Sequence, residues 1–109
     1  MNTSLGTVAL PAVTLESLQI EVYSNEDPTA TDPVFALTDE GTVVASDATY
    51  STGSWVGSYG ADGWTVARTP TFGSGGDITL TASTRKWVWA KCVAGGETAV
   101  WRVGLIVVS

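Results

Sequence analysis

The stretch Lys86-Trp87-Val88-Trp89-Ala90-Lys91-Cys92-Val93, followed by the pair Gly95-Gly96 and the run Thr98 to Val108, decides the fold class. Both runs are rich in Val, Ile and Trp, which suit a pleated, half-buried surface. The glycine pair between them reads as a hairpin turn, because glycine tolerates positive φ. The first run also shows two faces, since residues i and i+2 of a strand point the same way. Val88, Ala90 and Cys92 make one wholly apolar face, and Trp87, Trp89 and Lys91 make the other.

Working back toward the N-terminus, the same texture recurs. Asp77 to Thr81 is a short strand, preceded by a flexible Gly73–Gly76 turn. Trp64 to Thr69 and Ser54 to Tyr59 are expected to pair across a Gly60–Gly63 hairpin turn, with Pro70 ending the ladder. Val34 to Thr38 is a strand, and Thr42 to Ala45 is a candidate edge strand. Residues 24–33 carry two prolines and read as a polar loop. Residues 14–23 are a strand in which Leu18, Ile20 and Val22 alternate with Gln19, Glu21 and Tyr23. Residues 1–12 have no period and are expected to form an extended arm. The chain is therefore expected to be all-β, with an immunoglobulin-like β-sandwich of about seven strands over residues 13–109. No helical period appears.

At 109 residues the chain fits one domain, and its apolar content of 44% can fill a core. Charged residues make up only 15%, against roughly 25% in ordinary soluble domains. That low charge hints at a place within an assembly. Residues 1–54 hold eight acids (Glu16, Glu21, Glu26, Asp27, Asp32, Asp39, Glu40, Asp47) and no base. Residues 55–109 hold three acids (Asp62, Asp77, Glu97) and five bases (Arg68, Arg85, Lys86, Lys91, Arg102). The halves thus carry −8 and +2, giving the net −6. Two readings follow: a solubilising acidic surface, or an acidic face that docks head-to-tail on a basic face of the next subunit. Nucleic-acid recognition is not expected, because the net charge repels phosphate.

The side chains argue against catalysis. Without histidine the usual general base is missing, and a Ser-His-Asp or Cys-His arrangement is impossible. Most carboxylates are expected in turns or on wet strand faces, not buried where a general acid is made. Cys92 is the only cysteine, so zinc lacks ligands and no intrachain disulfide forms. The loop acids Asp27, Asp32, Asp39, Glu40 and Asp47 match no calcium-loop spacing. The chain is read as a non-enzyme without cofactor. No signal peptide and no apolar run of the ~20 residues needed to span a bilayer is seen, so it reads as soluble and made in the cytoplasm.

The candidate contact residues are Trp55, Trp64, Trp87, Trp89 and Trp101, with Lys91 and Arg102 beside them. Tryptophan fills a small core or forms an exposed platform for a sugar or protein partner, and both placements stay open. Alternation favours Val88, Ala90 and Cys92 inward. It places Trp87, Trp89 and Trp101 on the outer face, covered by a neighbour or by the N-terminal arm. Trp55 and Trp64 are expected to sit side by side.

The segments Trp64-Thr65-Val66-Ala67-Arg68, Gly75 to Leu80, Trp87-Val88-Trp89-Ala90-Lys91 and Val100 to Val107 together resemble small β-rich virion proteins of tailed bacteriophages, especially those of actinobacterial hosts. The resemblance covers roughly residues 33–109. It implies a structural part of the virion, at the head-to-tail connector or as capsid decoration. It also implies capsid, portal or neck proteins as partners, and homo-oligomeric packing in a symmetric array. The alternative from the residues alone is a carbohydrate-binding sandwich with the tryptophans as its stacking platform.

Overall fold

Alternating burial along each long strand builds the molecule. The structure, a computed structural model, describes residues 6–109. It is all-β, about 52% strand and without helices among those residues. Its strands are β1 (Gly6–Leu10), β2 (Leu15–Glu16), β3 (Gln19–Tyr23), β4 (Val34–Asp39), β5 (Ser51–Thr52), β6 (Ser54–Val56), β7 (Trp64–Arg68), β8 (Phe72–Gly73), β9 (Thr84–Ala94) and β10 (Glu97–Val108). One sheet has the order β1-β10-β9-β4-β5, a second β3-β7-β6, and β2 pairs with β8.

The buried residues of both larger sheets belong to one cluster. Ile20 and Val22 of β3 and Ala67 of β7 meet Phe35 of β4, Val88 and Ala90 of β9, and Val103, Ile106 and Val108 of β10. Phe72 and Leu80 join them from the chain between β7 and β9. This is the layering of a sandwich, in which each sheet hides one face and wets the other. Val88, Ala90 and Cys92 all point inward, as alternation predicts.

The expected strand boundaries change in several places. The strand expected over residues 14–23 breaks in two. Between the halves, Thr69 Oγ1 accepts the Leu18 N–H at 2.8 Å, and the Thr69 N–H donates to the Leu18 carbonyl at 2.8 Å. A side chain thus replaces one rung of the ladder. The stretch 77–81 is not a strand, and only Ile78 bridges, to Phe72. Residues 42–45 are not a strand either. After the turn at Gly41 (φ 91°), the Thr42 carbonyl accepts the Thr38 hydroxyl at 2.6 Å, which ties this segment to β4 by side chain.

Residues 6–10, part of the stretch expected to be an arm, are the edge strand of the larger sheet. β1 runs parallel to β10, from Gly6 opposite Gly104 to Leu10 opposite Val108. Leu10 is buried in the core, and beyond it the Ala12 N–H donates to the Ser109 carbonyl at 2.9 Å. Only Val8, half-buried, and Leu10 of this strand reach the core, an alternation too short to read as a period, which is why the sequence suggests an arm. The rest of that stretch, residues 1–5, lies outside the described residues.

Candidate functional site

On β9 the odd-numbered residues face out, and Arg85, Trp87, Trp89 and Lys91 form a row on the central strand of the larger sheet. Directly opposite residues of an antiparallel pair share a face. Thr38 lies opposite Trp87, and Arg102 lies opposite Trp89. Thr38 Oγ1 accepts the Trp89 Nε1–H at 2.8 Å, which fixes that indole. Trp87 and Trp89 meet edge-on, with centroids 6.1 Å apart at 67°. The Arg102 guanidinium lies 4.3 Å from the Trp87 ring centroid, within range of a cation–π contact. Lys91 stands 5.1 Å from the Tyr50 ring.

The charges on this face are not alike. Arg85 is forked on Glu40, with Nε donating to Oε1 at 2.8 Å and Nη2 to Oε2 at 3.2 Å. That bond holds the Glu40 carboxyl below the usual carboxylate range and raises Arg85. Lys86, at the sheet end, pairs with Asp39. Among the described residues, Lys91 and Arg102 form no ion pair. The result is an aromatic shelf with two unneutralised cations. A shallow cavity of about 420 Å³ opens beside it, lined by Thr7, Trp87, Arg102 and Leu105 among others.

The remaining candidates lie elsewhere. Trp101 is on the inner face, contrary to expectation. It stands opposite the buried Ala90 and packs on the core. The cause is a β-bulge: Arg102 opposes Trp89 and Gly104 opposes Val88, so Val103 is extra. Each bulge shifts the alternation by one residue. Ile106 and Val108 therefore point in beyond it, and Trp101 points in before it. The Trp101 Nε1–H is buried without an acceptor among the described residues.

Trp55 also faces in, opposite buried Ala67, and donates its Nε1–H to the Thr31 carbonyl at 2.8 Å. Trp64 faces out from the smaller sheet and is 43% exposed. The expected side-by-side placement of Trp55 and Trp64 is thus replaced by opposite faces of one sheet. Of the seven candidates, the structure brings together Trp87, Trp89, Lys91 and Arg102.

The smaller sheet carries a second surface that the sequence reading missed. Tyr23 pairs with Trp64, their rings 5.4 Å apart and tilted by 55°. A groove of about 430 Å³ runs past Trp64, lined also by Glu21, Val56, Ser58, Asp62 and Val66. Among the described residues the Glu21 side chain has no hydrogen bond or ion pair, while Asp62 Oδ1 accepts the Trp64 backbone N–H at 3.1 Å. Tyr59 nearby is pushed up in pKa, chiefly by burial and then by the neighbouring Tyr23, Asp27, Asp62 and Glu26. This end of the smaller sheet is therefore acidic. Arg68 sits at the other end of β7, opposite Gln19 and Ser54.

Asp27 is held below its ordinary pKa, first by the Thr29 hydroxyl and then by the Thr29 N–H. Burial pushes the Cys92 thiol from 9.0 up to about 12. No three carboxylate or thiol groups among the described residues gather closely enough to hold a metal ion. No helix among them is long and apolar enough to cross a membrane. No protein-family model, curated protein or solved structure matches the chain.

Proposed function

We propose that this chain is a non-enzymatic structural component of a tailed-bacteriophage virion, making repeated protein–protein contacts at the head-to-tail connector or on the capsid surface. In this reading its two larger sheets form an immunoglobulin-like sandwich with the contact surfaces on their outer faces. The observation that carries the proposal is the shelf of Trp87, Trp89, Lys91 and Arg102, built on the most central strand. Tryptophan and arginine dominate binding energy at protein interfaces, and a rigid strand presents them at little entropic cost.

The chemistry of the titratable groups supports the same reading. Asp27 and Glu40 are stabilised as anions, the reverse of what a general acid requires. The Cys92 thiol is buried and protonated, the reverse of a nucleophile. The resemblance over residues 33–109 supplies the virion context. The carbohydrate alternative loses its continuous strip, because the five indoles divide between the core and two opposite faces.

The test is quantitative mass spectrometry of purified phage particles. The chain is expected in them at a fixed copy number. A count near one ring supports the connector, and hundreds of copies support decoration. Absence from the particles overturns the proposal.

A further inference from the structure

The two outer faces are complementary in charge, and each presents an aromatic ring. We propose that the Glu21–Trp64 groove of one copy receives the Arg102–Trp87 shelf of a second copy, so that the protein associates head-to-tail. This rests on the assembly reading above and names its partner as the chain itself.

The groove end places the Glu21 and Asp62 carboxyl groups beside the exposed Trp64 ring. Among the described residues, the only cation placed on that face by the register, Arg68, is four residues along β7 from Trp64, roughly 13 Å at strand rise. Among the described residues the shelf's Arg102 and Lys91 have no ion partner, while Glu40, which lines the same cavity as Arg102, is paired with Arg85. Arg102 is exposed, although it lies against Trp87. Its guanidinium can therefore stack on Trp64 of the next copy and donate to Glu21 and Asp62. A planar, forked cation is suited to both contacts at once. Val56 and Val66 line the groove, and Val100, 44% exposed on the shelf face, offers apolar cover.

Groove and shelf lie on the outer faces of different sheets, so each copy uses one surface of each kind. Such a heterologous contact closes into a ring or continues as a filament. Ring closure is what a connector would use.

Sedimentation velocity on the full chain, from micromolar to millimolar concentration and at low and high salt, tests this. The wild type is expected to form larger species that dissociate as salt rises. Arg102→Glu and Glu21→Arg, each alone, are expected to weaken association at least about thirtyfold, the loss typical of unpairing an interfacial charge. Mixing the two variants is expected to restore it, because the reversed shelf of one meets the reversed groove of the other. Far-ultraviolet circular dichroism confirms that both variants fold. A wild type that stays monomeric, variants that associate as the wild type does, or a mixture that does not recover each overturn the inference. So does glycan quenching of fluorescence in a monomeric wild type that is lost in Trp64→Phe, which would assign the groove to sugar. A monomer found within particles defeats this inference alone. A self-associating chain missing from particles defeats the virion reading alone.

Discussion

Trp101 and Cys92 show how single residues report the packing. Trp101 reaches the core only because Val103 bulges, and its Nε1–H then has no acceptor among the described residues. An unsatisfied buried donor costs free energy that an isosteric apolar group does not. Trp101→Phe is therefore expected to leave stability within about 1 kcal/mol of wild type, whereas Trp101→Ala is expected to cost about 3 kcal/mol. Urea denaturation measures both. Cys92, 2% exposed, is expected to stay inert to a thiol reagent in the native state and to react on unfolding.

The raised Cys92 pKa also carries a sign. Between pH 9.0 and about 12 the native thiol keeps its proton while the unfolded one has lost it. The unfolded state then binds fewer protons, so stability falls as pH rises through that window. The denaturation midpoint is expected to fall less steeply across the window in Cys92→Ala than in wild type. An identical slope in the two proteins contradicts this assignment. The inward place of Val88, Ala90 and Cys92 was legible from plain alternation. Trp101 was not, because a bulge reverses parity without leaving a marker in the sequence.

At the scale of elements, the long strands β9 and β10 were readable because eleven and twelve residues sustain a pattern. The pairs made by β2, β5 and β8 were not readable, since two residues have no period. β1 was hidden for a related reason, as its only fully buried side chain is Leu10. A strand docked on β10 and a loose arm differ in energy. Leu10→Ala is expected to cost about 2–4 kcal/mol if β1 is part of the folded sheet, and almost nothing if it is an arm. Chemical denaturation distinguishes them.

The small β2–β8 pair depends on Gly73, which has φ 114° and whose Cβ would overlap the Thr14 carbonyl oxygen. Gly73→Ala is expected to destabilise by at least about 2 kcal/mol, because both backbone conformation and space are wrong for a side chain.

Across the whole molecule, the contact surfaces were only half visible beforehand. Trp87, Trp89, Lys91 and Arg102 lie close in sequence and share a hairpin, so local periodicity finds most of that shelf. The groove joins Glu21 and Tyr23 of β3 to Asp62 and Trp64 near the start of β7. Those strands are far apart along the chain, and their pairing is a property of the fold alone. The charge asymmetry of the two halves was visible as a count. Its spatial meaning, an acidic groove and a cationic shelf on different sheets, needed the topology.

On the proposed role, the outer faces of the two larger sheets make this protein's contacts inside an assembly. Hydroxyl-radical footprinting of intact particles against the free chain tests this residue by residue. Trp64, Trp87 and Trp89 are expected to be oxidised in the free protein and protected in the particle, each relative to its own labelling in the free chain. Equal labelling of the three tryptophans in the two states would contradict the account.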